Sequence, residues 1–203
     1  LLGIIIMSNS PLVLITGGAG FIGSHLSKEL IDNGYAVRIL DVLSPQVHAD
    51  IPSNLNWMED EGIEFIRGSI EDRKALVRAL AGVEYIVHLA AETGTGQSMY
   101  EIDHYYKVNC QATALLFDIL ANDANHMVKR IVLASSRSVY GEGAYECKVC
   151  DTGRVTPSSR LAESLSNKMW EPTCTQCNGE LSVLSTLESD DIKPASIYAA
   201  SKY

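Results

Sequence analysis

Leu12-Val13-Leu14-Ile15-Thr16-Gly17-Gly18-Ala19-Gly20-Phe21-Ile22-Gly23 is the stretch whose reading decides the fold. Its first four residues are apolar and β-rich, as in a strand buried on both faces of a parallel sheet. The pattern Gly18-x-Gly20-x-x-Gly23 then sits after a strand and opens a helix, the context that gives it weight. Glycine permits the tight turn and lets backbone N–H groups approach a pyrophosphate, while the helix N-terminus adds donors and a favourable dipole. Asp41 ends the next strand ~20 residues on, where a carboxylate accepts from a ribose 2′-hydroxyl and repels a 2′-phosphate. NAD is therefore favoured over NADP. The alternative is a glycine-rich turn with no ligand and Asp41 as a loop cap.

Outward from this stretch the alternation repeats. A helix from Phe21 is stopped by Asn33-Gly34, and Tyr35–Leu40 is the second strand. Residues 44–56 read as loop or short helix. Ile63–Ile66 is a strand, Glu71–Ala81 a helix closed by Gly82, and Val83–Leu89 a strand. A long helix lies within Tyr100–Asn125, and Val128–Ala134 is the fifth strand. Strands alternating with helices predict an α/β fold with a parallel sheet covered on both faces. Right-handed crossovers make it the doubly wound Rossmann sheet of order 3-2-1-4-5. After Gly141 the pattern stops. Residues 142–195 carry four of the 5 cysteines and three of the 6 prolines, which reads as a module inserted into an NAD-binding domain spanning 11–203. Helical character returns at Ile197.

Composition narrows the partners. The 203 residues are 46% hydrophobic and 20% charged, ordinary for a chain with a real core. A net charge of −9 argues against nucleic acid and anionic membranes, which are bound through clustered positive charge. No apolar run reaches the ~20 residues of a membrane span. Leu1 to Met7 has no basic residue before it and no small-residue cleavage site after it, so residues 1–10 read as a leader or start-site remnant rather than a signal peptide. A cytoplasmic location follows.

In such a reducing compartment, Cys147-x-x-Cys150 and Cys174-x-x-Cys177 favour metal over disulfides. Two two-residue knuckles complete a closed four-sulfur shell, predicting a structural zinc in a zinc-ribbon-like insertion. Reduced metal-free thiols or disulfides are the alternatives. Cys110 stands apart as an inert buried thiol.

Five motifs occur in order: Thr16 to His25, His88-Leu89-Ala90-Ala91, Asn109, Ser135 to Gly141, and Tyr198-Ala199-Ala200-Ser201-Lys202. Together they resemble the extended short-chain dehydrogenases/reductases that act on nucleotide sugars, over residues 11–141 and 194–203. The resemblance implies cofactor contacts from Gly17, Gly18, Gly20, Phe21, Ile22, Gly23, Asp41, Ser69, Ile70, Leu89, Ala90, Ala91, Asn109, Tyr198 and Lys202. Ser69 stands where many relatives carry an aspartate near adenine. Asn109 also reads as an interior helical polar group, and His88 as a strand-end structural histidine, with an acid or base as the alternative.

The implied catalytic set is Ser136, Tyr198 and Lys202. Tyrosine and lysine four apart share a helix face, and the ammonium stabilises the phenolate, making Tyr198 a usable general base. Ser136 can bond the same reacting oxygen. Dehydratases of this group carry Asp-Glu directly after the serine, whereas Arg137-Ser138 follow here, so dehydration is disfavoured. Epimerisation by transient oxidation and hydride return is expected; a net dehydrogenase or reductase uses the same trio. Ala90 to Tyr100, Ala134 to Arg137 and Trp170-Glu171-Pro172 are similar to epimerases of the dTDP-L-rhamnose type. That implies inversion at C4 of a nucleotide-diphosphate sugar, with Thr93, Gly94, Thr95, Ser136 and Arg137 beside it. The alternative for the loop after strand four is a flexible glycine-containing connection. A homodimer through the long helices is also implied. Relatives continue into a C-terminal substrate domain that is missing here, so a non-catalytic, zinc-stapled NAD-binding module is a second expectation.

Overall fold

A computed structural model describes residues 10–48, 55–151 and 153–203. The leader read over 1–10 lies, Ser10 apart, outside the described residues. The chain forms two compact units: residues up to Thr93 with Glu101–Ala134, and Gly94–Tyr100 with Ser135–Tyr203.

The first unit runs β1 (Leu12–Thr16), α1 (Phe21–Asp32), β2 (Ala36–Asp41), short α2 (Pro45–His48) and α3 (Asn56–Asp60), and β3 (Glu64–Arg67). It continues with α4 (Arg73–Leu80), β4 (Tyr85–His88), α5 (Ile102–Tyr106), α6 (Ala112–Asn122) and β5 (Arg130–Leu133). The five strands form the expected order β3-β2-β1-β4-β5, every pairing parallel. The apolar run of β1 is divided between two faces because strand side chains alternate. Leu14 packs with Leu40, Ile86, Leu76 and Leu116 on one side; Val13 and Ile15 pack with Val37, Ile39, Leu26 and Leu30 on the other. Gly34, at φ +84, lets the chain leave α1 and turn into β2. Asp72 starts α4 by accepting from the Lys74 N–H at 2.8 Å.

A charged residue is buried in mid-strand. Arg38 lies in the middle of β2, 9% exposed, and donates to the carbonyls of Ala79 and Ala81 at 2.7 and 2.6 Å while pairing with Glu64 at 2.8 Å. It thereby satisfies the end of α4 from across the sheet. Arg38→Met keeps the stem but strands the buried Ala79 carbonyl, so a loss of about 1–3 kcal/mol in denaturant unfolding is expected. A variant as stable as the parent would show that water satisfies that carbonyl.

The long helix expected within 100–125 is interrupted. Lys107–Gln111 form a π-helical turn between α5 and α6. Such turns carry an extra residue and often occur at functional sites. This one contains Asn109.

The second unit holds β6 (Ala144–Glu146), β7 (Arg154–Val155), α7 (Ala162–Ser166), β8 (Ser182–Leu184) and α8 (Ile197–Lys202). Its three strands make a small antiparallel sheet, β7-β6-β8. Arg154 on β7 forks onto the Asp190 carboxylate. That guanidinium, helped by the Leu187 N–H, holds Asp190 down to about 2. The stability Asp190 contributes is present above the ordinary 3.8 and is lost as pH falls through about 2.

Candidate functional site

The turn between β1 and α1 depends on glycine at two contacts. Gly17 has φ +67, and a Cβ there would lie 2.7 Å from the backbone N and Cα of Ala90. A Cβ on Gly23 would fall 2.4 Å from the Gly18 carbonyl oxygen. The first turn of α1 therefore packs directly on the preceding loop. α1 opens without a side-chain cap and with no acidic residue in its first turn. Its leading N–H groups and positive dipole end suit an anion. Asp41, 8% exposed, accepts from Ala19 N at 3.1 Å and from Leu43 N at 2.8 Å. Each carboxylate oxygen retains acceptor capacity.

The floor of the site is the end of β4, held by a chain of hydrogen bonds. Thr113 Oγ1 donates to the Asn109 carbonyl at 2.6 Å and lies 3.1 Å from His88 Nε2. His88 Nδ1 lies 2.7 Å from Thr16 Oγ1, which accepts from Ala90 N at 3.3 Å. This pattern assigns the proton to Nε2 and leaves Nδ1 as acceptor. His88, 2% exposed, is a structural strand-end residue, one of the two readings its sequence position allowed. Asn109 completes the brace: its Oδ1 accepts from Glu92 N at 2.9 Å and its Nδ2 donates to Glu92 O at 3.1 Å. The Tyr105 hydroxyl donates to Thr93 O at 3.0 Å.

These elements line a cleft of about 470 Å³ in the first unit. It brings together Gly17, Gly20, Phe21, Ile22, Gly23, Asp41, Ser69, Ile70, Leu89, Ala90, Ala91 and Thr93. Gly18 and Asn109 are not among its lining residues; Gly18 packs on Ile39, and Asn109 spends its side chain on Glu92. Sequence reasoning missed two lining histidines. His48 Nε2 lies 3.9 Å from Asp41 Oδ1, and His104 Nε2 lies 3.3 Å from Glu92 Oε1. Pro45, opening the turn that carries His48, was the one local signal; nothing in the sequence tied His104 to Glu92.

The second unit contains the Ser136, Tyr198 and Lys202 expected to act on substrate, with Gly94, Thr95 and Arg137. Ser136 caps the turn Arg137–Tyr140, its Oγ accepting from Ser138 N at 3.1 Å. Tyr198 and Lys202 occupy α8, one turn apart. Three serines fix that helix. Ser196 caps it through Ala199 N at 3.0 Å, buried Ser98 accepts from Tyr198 N at 3.0 Å, and Ser135 Oγ donates to Lys202 O at 2.9 Å.

The four expected cysteines converge in the same unit, with all sulfur atoms within 4.8 Å of one another. Cys147 and Cys177 are 3.7 Å apart, and Cys150 and Cys174 are 3.9 Å apart. A disulfide needs ~2.05 Å. A tetrahedron with zinc–sulfur bonds of ~2.3 Å has edges of ~3.8 Å. Backbone N–H groups of Cys150, Gln176 and Gly179 point at Cys147, Cys174 and Cys177 over 3.5, 3.4 and 3.4 Å. In the absence of a metal ion, the N–H groups of Cys177 and Gln176 bring the Cys174 thiol down to about 7. Hydrogen bonding to Cys177, then burial, pushes Cys150 up to about 12.

Residues 13–164 match the sequence model of the NAD dependent epimerase/dehydratase family. The chain is 35% identical over 194 residues to dTDP-L-rhamnose 4-epimerase of Burkholderia thailandensis, covering 94% of this chain and 50% of that protein. It superposes on UDP-glucose 4-epimerase from Brucella ovis, solved in complex with NAD, with a TM-score of 0.64 at 25% identity, covering 95% of this chain and 45% of that one. UDP-N-acetylglucosamine 4-epimerase from Methanobrevibacter ruminantium, solved with UDP-N-acetylmuramic acid, gives 0.64 at 29%, covering 96% and 47%. The chain thus spans about half the length of these relatives. With the matched segment running from β1 through the glycine turn and the β4 floor into the cysteine-bearing stretch, the chain belongs to the NAD dependent epimerase/dehydratase family.

Proposed function

We propose that this chain is the cofactor-binding portion of an NAD-dependent epimerase that inverts C4 of a nucleotide-diphosphate sugar, with a substrate of the dTDP-L-rhamnose kind. The observation that carries the reading is the cleft of the first unit, where an uncapped helix start, a turn closed by Gly17 and Gly23, and Asp41 converge. Its residues fit a dinucleotide. The leading N–H groups of α1 would hold the pyrophosphate, Asp41 the adenosine ribose, and Ser69 and Ile70 the adenine side. A 2′-phosphate beside the Asp41 carboxylate would be repelled, which favours NAD.

The bound cofactor supplies a hydride acceptor that can give the hydride back. This chain's own residues then handle the proton. Tyr198 takes it from the C4 hydroxyl as the C–H electrons leave, and Lys202 stabilises the resulting phenolate. Ser136 would donate to the reacting oxygen, and Tyr198 would give its proton back to that oxygen when hydride is restored to C4, leaving an alcohol of inverted configuration. Thr93, Gly94, Thr95 and Arg137 are the side we assign to the sugar. The absence of an acid pair after Ser136 counts against dehydration. The 35% identity to a dTDP-L-rhamnose 4-epimerase supports the substrate class.

The cysteine cluster fits a structural zinc with a closed shell, and no step of the reaction is assigned to it. Free thiolate ligands suit the reducing cytoplasm. A second copy is the partner we propose for the helix pair α5 and α6, which leaves Tyr106 and Phe117 exposed.

Denaturing the purified protein tests the central claim. Stoichiometric NAD in the supernatant, or tight binding of added NAD with rejection of NADP, is expected. A chain that releases no nucleotide and binds none overturns the catalytic reading.

A further inference from the structure

We infer that the four-cysteine centre is a positioning device for the Tyr198 base, not a staple of the insertion alone. The inference rests on the structural metal proposed above and concerns only the second unit. Ser136 and Tyr198 must act on one oxygen, yet the long excursion 142–195 separates them along the chain. Chain ends this far apart in sequence stay together only if something closes the loop, at an entropic cost that grows with its length.

The structure shows how closure is made. Lys193 N donates to Val139 O at 2.9 Å, inside the turn that Ser136 caps. Gly141, at φ +63, passes so close that a Cβ would lie 2.4 Å from Lys193 O. From there the two arms pair as β6 and β8, over only three residues each: Ala144↔Leu184, Tyr145↔Val183 and Glu146↔Ser182. β6 runs directly into Cys147, and β8 follows Leu181, which packs against Cys147 and Cys174. Beyond Lys193 the chain reaches the Ser196 cap and then Tyr198.

What closes the far end is chiefly the sulfur cluster. The hydrophobic cluster there contains four buried residues, Tyr145, Cys147, Cys174 and Leu181, two of which are themselves ligands. A core this small does not stabilise two- and three-residue strands by itself, so metal binding supplies the folding free energy. Loss of the ion should then loosen β6 and β8, release the Lys193–Val139 contact, and free the approach to α8. Ser98 and Ser135 hold α8 by single hydrogen bonds, which cannot replace that closure.

The test is amide hydrogen exchange on the whole chain, holo and after removal of the metal with a strong chelator, with metal content measured in the same samples. Expected is a loss of protection of at least tenfold across 136–141 and 196–202. Exchange in β1 and β2 should stay within twofold. Cys150→His, which keeps a ligand, should retain protection; Cys177→Ser should behave as the metal-free chain. If chelation leaves 196–202 as protected as before, the positioning role is wrong. If the purified chain never held a metal and takes up neither zinc nor cobalt, the zinc reading itself fails, and the metal analysis tells the two failures apart.

Discussion

Gly23→Ala is expected to weaken NAD binding by more than ~100-fold while leaving the fold intact. The reason is local geometry. A methyl group at position 23 would sit 2.4 Å from the Gly18 carbonyl oxygen and 2.5 Å from its Cα, and backbone cannot step aside as a flexible side chain can. The turn must therefore rise off the first turn of α1, and the N–H groups that face the pyrophosphate lose their aim. Bonds to a charged phosphate contribute ~1.5–3 kcal/mol each, so misaligning two costs ~3–6 kcal/mol, beyond two decades in affinity. Gly18→Ala offers a comparison at a side-chain contact, since its Cβ would meet Cγ1 and Cγ2 of the buried, β-branched Ile39 at 2.7 and 3.0 Å. Titration of NAD against each variant, with the thermal midpoint and metal content recorded alongside, separates affinity from stability. Wild-type affinity in Gly23→Ala would show that the pyrophosphate lies elsewhere.

The elements of the first unit were legible because each signal was local and repeated. The run Leu12–Ile15 is apolar throughout since β1 is covered on both faces, and the glycine pattern fixes where α1 begins. Helix ends at Gly34 and Gly82 were readable from the residue type, and both adopt positive φ. The π turn was not readable. Lys107-Val108-Asn109-Cys110-Gln111 has ordinary helical composition, and the extra residue matters through its partner, the Glu92 backbone, remote in sequence. Arg38 was invisible for a related reason: a charge in a central strand is explained only by the α4 carbonyls that fold against it.

The candidate site divides in the same way. Cysteine spacing announced the four-sulfur cluster, because two-residue knuckles constrain their own geometry. The antiparallel sheet that carries them gave no period, since strands of two and three residues are shorter than any window in which alternation can be recognised. His48 and His104 enter the cleft through tertiary contacts with Asp41 and Glu92, and no motif links either pair. Asn109 was marked as a cofactor contact by resemblance. Its side chain holds the backbone of the loop after β4 through Glu92, a partner remote in sequence.

Tyr198→Phe is expected to reduce C4 epimerisation by ~10²–10⁴ while NAD content and metal content stay at parental levels. Phenylalanine keeps the ring and removes only the hydroxyl. The backbone bond from Tyr198 N to Ser98 Oγ at 3.0 Å is retained, so α8 should keep its place. The loss then reports the proton transfer and not the fold. Lys202→Met separates the two halves of the base. Its carbonyl still accepts from Ser135 Oγ at 2.9 Å, but the ammonium that stabilises the phenolate is gone. A fall in turnover smaller than that of Tyr198→Phe is expected for Lys202→Met, with metal content unchanged. Turnover is measured on a dTDP- or UDP-linked hexose by following the C4 configuration. Where turnover requires the sugar-binding wall, the same pair of variants is compared in a chain of the relatives' length. Should Tyr198→Phe retain turnover within threefold of the parent, the proton is taken by another group. Glu92 and His104, 3.3 Å apart on the wall of the NAD cleft, are the pair to substitute next.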